Sequence, residues 1–221
     1  MEYIELIALP GTGKSTIVNT FKTNTQKKIF LRSNKRNLIN LLIYPNRLPL
    51  FLKVMLKIKN ERDATLRNAA QRALMIVYGP LYFSYSSDLY LSDECSIVYL
   101  SSIGCFGKEW VEIIDKVYPS SYLNSALFVF LEIDEKERKK RKRNRNRNRN
   151  KKNNASLKSN NHSKFKIRQN EKKDINTAER VEAFAFWKKY LNMRGFNVLT
   201  IDVTNLSAEI SASRIAKMLS T

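Results

Sequence analysis

Apolar residues recur along the chain in two distinct patterns, which predict alternating strands and helices. Short, densely apolar runs bounded by turn residues are typical of buried strands. The strands predicted from such runs cover 3–8, 28–32, 89–92, 126–133 and 196–203. Apolar residues three and four positions apart predict helices that bury one face. These helices cover 14–21, 34–57, 61–77, 107–117, 177–193 and 208–219.

The order of these elements predicts the fold class. Strands that alternate with helices indicate βαβ units, in which the strands lie parallel and helices cover both faces of the sheet. A length of 221 residues is enough for one domain with a substantial core. We therefore expect a single α/β domain over residues 1–221.

Turn and cap residues refine the predicted boundaries. Pro45 and Pro49 interrupt the first long helical segment, because proline lacks the N–H group that continues a helix. Asn60 is expected to cap the helix that follows. Gly195 suits the end of the penultimate helix, where a left-handed residue is common.

The first predicted strand is followed by a loop with a phosphate-binding sequence. From Ala8 to Thr16 it fits the pattern GxxxxGK[ST] except at its first position, where Ala8 replaces glycine. Gly11 and Gly13 allow the backbone to curl and turn its N–H groups toward a phosphate. The motif requires a strand before it and a helix after it, and both are predicted here.

The side chains of this loop predict the ligand. Lys14 brings a positive charge to the β- and γ-phosphates of a nucleotide, and Ser15 offers a hydroxyl to Mg²⁺. The predicted nucleotide-binding residues are Pro10, Gly11, Thr12, Gly13, Lys14, Ser15 and Thr16. The expected cofactors are ATP and Mg²⁺. The reaction stays open, because ATPases, GTPases and kinases all use this loop.

Two carboxylates, Asp93 and Glu94, follow the predicted strand 89–92. The carboxyl ends of parallel strands face the crevice in which such sheets bind ligands. A carboxylate in that place can hold Mg²⁺ through water or accept a proton from an attacking hydroxyl. We predict that Asp93 faces the site and that Glu94 is the alternative. The competing interpretation is a solvated acidic turn.

Charge divides the chain into two unequal parts. The formal net charge is +20, yet residues 136–173 contain 18 Lys or Arg and 2 acidic residues, and the remainder has a net charge of only +4. A protein that coats nucleic acid with a uniformly basic surface is therefore disfavoured. Within the basic segment, Arg and Asn alternate four times over 143–150. Asparagine is a poor helix former and like charges repel, so we expect 134–173 to be a disordered insertion.

Other features exclude several classes of protein. Cys95 and Cys105 lack the spacing of metal ligands, and the single histidine, His162, lies among polar residues, so neither a zinc site nor a disulfide is predicted. The most apolar long stretch, 38–58, contains prolines and charges and does not predict a membrane span. The N-terminus lacks a signal-peptide pattern. We expect a cytoplasmic protein without a membrane span; the stretch 38–58 predicts a buried helix pair broken at Pro45–Pro49, and contact with a membrane surface is the alternative.

Taken with the phosphate loop, the order of elements resembles the nucleoside and nucleotide kinase group of P-loop proteins, most nearly its thymidylate-kinase-like members. The resemblance rests on Gly11-Thr12-Gly13-Lys14-Ser15-Thr16, on Asp93-Glu94 after a strand, on the Arg-rich segment after 126–133, and on the final strand and helix. It implies a three-layer P-loop NTPase fold with a parallel sheet flanked by helices. The family's Asp-Arg pair after the third strand appears here as Asp93-Glu94.

The same resemblance implies a role for the basic segment. In such kinases the segment after the fourth strand is a lid, whose arginines fold over the phosphates and offset charge during transfer. Arg141 stands where the family has its first lid arginine, with Arg138 and Arg145 nearby. RNA or DNA binding by the Arg/Asn-rich tract is the alternative role, and a low-complexity insertion without a ligand is a third interpretation.

The predicted function is ATP-dependent phosphoryl transfer to a hydroxyl or phosphate group of a nucleoside, a nucleotide or another small molecule such as a sugar. The predicted catalytic residues are Lys14, Asp93, Glu94 and Arg141, and the predicted Mg²⁺ ligands are Ser15 and Asp93. The alternatives are a regulatory ATPase and a nucleic-acid-binding P-loop protein. An Asn/Thr-Lys-x-Asp element that reads guanine is not evident, which argues against a GTPase.

Overall fold

The computed structural model describes residues 3–24, 29–31, 34–81, 89–92, 96–159 and 177–218, and five strands within them form one parallel sheet. The strands are β1 (Tyr3–Ala8), β2 (Ile29–Leu31), β3 (Leu89–Ser92), β4 (Ala126–Glu132) and β5 (Asn197–Asp202). Their order across the sheet is β2-β3-β1-β4-β5. β1 is central, because it pairs with β3 on one side and with β4 on the other. The predicted parallel sheet is confirmed.

Helices cover both faces of the sheet. They are α1 (Lys14–Asn24), α2 (Asn34–Ile43), α3 (Leu48–Arg62), α4 (Leu66–Tyr78), α5 (Ser96–Ser102), α6 (Lys108–Val117), α7 (Glu135–Ser159), α8 (Thr177–Met193) and α9 (Ala208–Met218). Helices α1 and α9 pack together on one face, and α3 to α6 with α8 form the layer on the other. The three-layer P-loop arrangement is therefore confirmed. None of the helices described is long and apolar enough to cross a bilayer.

The two faces of the sheet have cores of different character. Successive residues of a strand point to opposite faces, so Tyr3 belongs to one core and Leu6 to the other. The core that contains Tyr3 is rich in aromatic side chains, such as Tyr118 and Phe128, whose rings meet edge to face with centroids 5.3 Å apart. The core on the side of α1 and α9 consists mainly of aliphatic residues.

The predicted helix over 61–77 is wrong at its start. Helix α3 continues to Arg62, after which Asp63 takes the left-handed backbone conformation with φ of 45°. The cap of α4 is Thr65 rather than Asn60, since its side-chain oxygen accepts a hydrogen bond from a backbone N–H group at 3.4 Å. Aspartate tolerates the left-handed region and threonine is a favoured helix cap. Asp63 therefore ends α3 and Thr65 starts α4, although the spacing of apolar residues predicts one continuous helix.

Other boundaries follow local chemistry. The break expected at the prolines is a short 3-10 turn at Pro45–Arg47, between α2 and α3. Gly195 has φ of +80° just after α8, as its predicted role requires. No element is predicted over 96–102, where the structure has α5. Its seven residues are too few for a helical period to emerge from the sequence.

The expectation that 134–173 is disordered is wrong for α7, which is helical through Ser159. Residues 160–173, including His162, lie outside the described residues. The helix starts at Asp134, whose Oδ1 accepts hydrogen bonds from the backbone N–H groups of the second and third residues after it at 2.8 and 3.1 Å. This cap, followed by Glu–Arg pairs one turn apart, offsets part of the repulsion that the basic sequence predicts.

Candidate active site: the phosphate loop and helix α7

The loop from Leu9 to Gly13 joins the carboxyl end of β1 to the start of α1. Gly11 and Gly13 have φ of +101° and +97°, a backbone conformation that residues with a Cβ rarely adopt. Thr12 is buried and closes the turn, because its N–H group and its hydroxyl both donate to the carbonyl of Leu9, at 3.2 and 2.7 Å. The loop is thus held in a curled conformation by its own residues.

Helix α1 directs its positive end toward the same place. The first helical hydrogen bonds run from the N–H groups of Thr16 and Ile17 to the carbonyl of Gly13, at 3.0 and 3.1 Å. The first turn contains no acidic side chain, so the partial positive charge of the helix end is not offset by the helix itself. Ser15 is exposed at this end. The arrangement is suited to an anion such as a phosphate.

A cavity of about 760 Å³ opens over the loop. This volume lies within the range of small-molecule sites, roughly 300–1,000 Å³. Its walls come from the loop, from α5 and from α7: Ala8 to Thr16, Val98, Tyr99, Ser102, Arg141 and Arg145. The structure therefore brings every predicted nucleotide-binding residue into one cavity, which Arg141 also lines.

Helix α7 approaches the loop closely enough to form hydrogen bonds with its backbone. Arg138 Nη1 donates to the carbonyl of Pro10 at 3.3 Å, and Arg141 Nη1 donates to that of Thr12 at 3.1 Å. A Cβ atom added to Gly11 would lie 3.1 Å from the backbone oxygen of Arg138. A side chain at this position would therefore strain the loop by its φ and also press against α7.

Arg141 also binds two other parts of the protein. Its Nη2 donates to the carbonyls of Val203 and Thr204, just after β5, at 3.1 and 3.0 Å. Its Nε donates to Glu137 Oε1 at 3.0 Å. Since arginine has five N–H donors in a fixed fork, most donors of Arg141 are already used inside the protein. Arg141 therefore connects the loop, α7 and the end of β5.

Arg145, one turn further along α7, differs from Arg141. It lines the cavity and is exposed, and within the described part of the chain it forms neither a hydrogen bond nor an ion pair. The donors of its guanidinium are therefore not used by the residues that the structure describes. The sequence does not show this difference, because both arginines lie in a dense basic run. They differ only in the direction in which they project from α7 and in their contacts.

Two glutamates hold these arginines in place. Arg138 forms a bidentate pair with Glu135, with N–O distances of 2.7 and 2.8 Å. Hydrogen bonds from Arg138 and Arg141 are the main cause that lowers the pKa of the Glu135 and Glu137 carboxyls, respectively. Both carboxylates therefore stay ionised well below neutral pH and continue to orient the two guanidinium groups.

A buried carboxylate, Glu5, supports the opposite wall and is not among the predicted site residues. It is fully buried on β1, where Oε1 accepts hydrogen bonds from the N–H groups of Ile97 and Val98 at 2.9 and 3.1 Å. Oε2 accepts hydrogen bonds from the hydroxyls of Tyr3 and Tyr118 at 2.9 and 2.5 Å. Burial raises the pKa of Glu5, and these four donors oppose the shift. In the sequence, the signal for Glu5 is that it is a lone charged residue within the otherwise apolar strand β1.

The predicted acidic pair, Asp93 and Glu94, lies outside the described residues. Its neighbours are described: β3 ends at Ser92, and α5 begins at Ser96. Ser92 is the register partner of Glu5 on β1, and the two strands are parallel. The described end of β3 therefore lies beside Glu5, three residues before β1 ends at Ala8, and both strands run toward the edge where the phosphate loop leaves the sheet.

The described residues offer neither a cluster of metal ligands nor an exposed thiol. In the described residues there is no group of three or more His, Cys, Asp or Glu side chains that could hold a metal ion. Cys105 is a buried free thiol, and burial raises its pKa to about 11. Cys95 lies outside the described residues. A Mg²⁺ ion beside a phosphate loop does not need such a cluster, since it usually keeps several waters and binds the phosphates of the substrate.

No family model and no curated protein matches the chain. Among solved structures it is similar to deoxyadenosine kinase from M. mycoides with bound dATP, at 14% identity and a TM-score of 0.47, over 99% of this chain and 100% of that chain. It is also similar to shikimate kinase from Bacteroides thetaiotaomicron, at 14% identity and a TM-score of 0.40, over 100% of this chain and 99% of that chain.

Proposed function

We propose that the protein transfers the γ-phosphoryl group of ATP to a hydroxyl or phosphate group of a small molecule. One observation carries this proposal. The cavity brings together a curled phosphate loop, the start of α1, and Arg141 and Arg145 of α7. Several positive groups around a triphosphate are what phosphoryl transfer requires, because its transition state spreads negative charge over the transferred group. The use of ATP fits a cytoplasmic location, which stays a prediction.

The loop and Lys14 would bind the triphosphate. The positive φ of Gly11 and Gly13 turns the backbone so that N–H groups can face the β- and γ-phosphates. Lys14 opens α1 and lines the cavity, where its ammonium group adds a point charge beside these phosphates. Together they hold the nucleotide and offset the charge that develops as the phosphoryl group leaves.

Ser15 fits the role of a Mg²⁺ ligand. Its exposed hydroxyl lies in the first turn of α1, beside the predicted phosphate site. Mg²⁺ would neutralise charge on the β- and γ-phosphate oxygens during transfer. We propose Asp93 as a further ligand through water. Support comes from the position of β3 next to β1 in the sheet.

We propose that Asp93 or Glu94 also orients the acceptor and takes the proton from its hydroxyl group. A base in this role must lie within hydrogen-bonding reach of the acceptor. The two carboxylates follow a strand that runs parallel to β1 toward the loop, and α5, which comes next, supplies Tyr99 and Ser102 to the cavity. The acceptor is therefore expected between the phosphate loop and α5.

The two arginines of α7 have different proposed roles. Arg141 uses most of its donors on the protein and is expected mainly to position α7 against the loop. Arg145 has donors to spare and is expected to contact the transferring phosphoryl group. This division refines the prediction for Arg141, to which the family resemblance assigns the transition-state role.

An acceptor screen with labelled ATP tests the proposal. It would cover deoxynucleosides, nucleoside monophosphates, sugars and hydroxylated acids such as shikimate, with transfer of label as the readout. The Lys14→Ala variant should lower transfer at least about 100-fold, as expected when a main charge-stabilising group is lost. Lys59→Ala, which removes an exposed lysine of α3, is the matched control and should leave transfer unchanged.

The same assay separates a kinase from an ATPase. A kinase should release ADP rapidly only when the right acceptor is present. ADP release at the same rate with and without every acceptor would favour hydrolysis and contradict the proposal. Full transfer activity in a folded Lys14→Ala variant would contradict the assignment of the site, and thermal unfolding of both variants shows whether they are folded.

A further inference from the structure

Helix α7 divides its positive charges between two opposite faces. Arg138, Arg141 and Arg145 lie three and four positions apart, and all three face the phosphate loop or its cavity. A second set lines a surface groove of about 400 Å³ and comprises Lys136, Lys139, Lys140, Arg143, Asn144 and Arg147. At about 100° per residue, this second set is centred on the side of the helix opposite the first. We call it the outer face.

The charges of the outer face are largely uncompensated. Between residues 135 and 147 the helix contains nine Lys or Arg and only two acidic residues, Glu135 and Glu137. Both glutamates make their short contacts, of 3.0 Å or less, with arginines of the inner set. Lys136, Arg143 and Arg147 are exposed and have no ion-pair partner among the residues that the structure describes. The proposed phosphoryl transfer makes no use of these cations.

The spacing of the outer face fits a partner with regularly repeated negative charges. Residues 136, 140, 143 and 147 follow one another at intervals of four, three and four. With a rise of about 1.5 Å per residue, they form a row with a cation every 5–6 Å or so. Helical backbone connects the row, so the spacing of the attachment points of these side chains is set before a partner arrives.

The sequence of α7 favours nucleic acid over a membrane. No apolar residue occurs from 134 to 154, and a helix that lies in a membrane surface needs an apolar face to bury. No aromatic residue occurs from 134 to 159 either, so stacking on bases is not available to this helix. Contacts would be limited to the phosphate backbone, which carries no sequence information.

We propose that the outer face of α7 binds the phosphate backbone of nucleic acid without regard to base sequence. The driving force is the release of counterions from the nucleic acid when lysines and arginines replace them. Binding also relieves the repulsion among the cations of α7 itself. This proposal does not depend on the proposed phosphoryl transfer, because the two use opposite faces of the helix.

The test is fluorescence anisotropy with a labelled single-stranded RNA of about 20 nucleotides, measured with the full chain from about 50 to 200 mM salt. The variant Lys136→Gln/Arg143→Gln/Arg147→Gln removes three unpaired cations of the outer face. We expect at least about tenfold weaker binding. We also expect the slope of log affinity against log salt to fall by about two, since about 0.7 counterions are released per phosphate contact on a single strand.

The matched control is Lys53→Gln/Lys59→Gln/Arg67→Gln, which removes three exposed cations from α3 and α4. It should bind RNA like the unaltered protein. Equal loss in both variants would mean that overall charge, and not the outer face, determines binding, and would overturn the proposal. So would an outer-face variant with unchanged affinity, or an unaltered protein without RNA binding at the lowest salt. ATP binding by each variant shows that the nucleotide site is intact.

Three further probes test the class of partner. A single-stranded DNA and a second RNA of different sequence should bind with similar affinity, because the contacts are to phosphates. Strong dependence on base sequence would overturn the proposed backbone recognition. Vesicles rich in phosphatidylserine, or polyglutamate, that compete as well as RNA at equal charge would overturn the assignment to nucleic acid.

Discussion

Helices α5 and α7 border the phosphate loop, and charged residues hold them there by opposite physical means. Glu5 connects the start of α5 to β1 from inside the core, fully buried and surrounded by four donors. Arg141 connects α7 to the loop from the surface, where its side chain is 30% exposed and that of its partner Glu137 is 28% exposed. The contacts of Glu5 are shielded from water by the core, whereas those of Arg141 are partly exposed to it.

This difference in exposure predicts that Glu5 and Arg141 contribute differently to stability and to the geometry of the site. A buried N–H group or hydroxyl that loses its partner costs about 1–3 kcal/mol, so Glu5 is expected to matter for folding. Ion pairs open to water contribute little to stability, because solvent screens them. Arg141 is therefore expected to matter for the position of α7 and for activity more than for folding.

Removal of the Glu5 carboxylate should produce the largest change in stability. Glu5→Leu removes the acceptor of two backbone N–H groups of α5 and the carboxylate partner of two tyrosine hydroxyls, which lie 3.4 Å from each other, and we expect the free energy of unfolding to fall by about 3 kcal/mol or more. Glu5→Gln keeps an oxygen for α5 and should cost clearly less. Urea unfolding of both variants measures the difference. Equal, small losses would show that the hydrogen bonds of Glu5 do not support the fold.

Loss of Arg141 should separate activity from stability. In Arg141→Gln the contacts to Thr12, Val203 and Thr204 are weakened, so α7 and Arg145 should no longer be held over the cavity. We expect phosphoryl transfer to fall about 10- to 100-fold, as when one preorganised donor is removed, with little change in the free energy of unfolding. Arg143→Gln makes the same chemical change on the outer face and should leave transfer unaltered. A large loss of stability in Arg141→Gln would remove the contrast with Glu5.

The pH dependence of stability should have opposite signs for Glu5 and Glu137. We expect this effect to be smaller than those of Glu5→Leu and Arg141→Gln. The pKa of Glu137 is lowered in the folded protein by Arg141. The stabilising contribution of Glu137 is therefore complete above a pH of about 4.3, the pKa of glutamate in an unfolded chain. It is lost as pH falls through the lower pKa of Glu137 in the folded protein. The pKa of Glu5 is raised by burial, so its effect on stability becomes less favourable as pH rises from about 4.3 through the folded value.

Unfolding curves recorded across this acid range test these signs. Glu137→Gln should flatten the loss of stability at low pH, and Glu5→Gln should remove the opposing slope. Arg143→Gln, which titrates no carboxylate, serves as the control. Parallel pH profiles for the two glutamate variants would contradict the environments described for the two carboxylates.

Much of the fold follows from local patterns in the sequence. The run Tyr3–Ala8, the glycines at 11 and 13 and the helix after them predict the phosphate loop, because the required backbone conformations depend on neighbouring residues. The continuous apolar run of β4 predicts a strand covered on both faces. These patterns need no knowledge of distant contacts.

The parts that the sequence mispredicts depend on competition between signals. At 134–159 the sequence shows like charge and asparagine, which indicate disorder, while a single aspartate cap and two glutamates favour a helix. Contacts of Arg138 and Arg141 with the loop, more than 120 residues away in sequence, tip this balance toward the helix. Sequence patterns do not report such contacts.

By itself, the sequence determined that this protein has a phosphate loop between a strand and a helix of an α/β fold, because glycine spacing and helix dipoles act locally. Only the tertiary structure decided which cations serve that loop. Composition treats the nine lysines and arginines between 135 and 147 alike. The phase of α7, set by the carbonyls of Pro10 and Thr12, turns three of them toward the loop or its cavity and leaves the outer face to solvent.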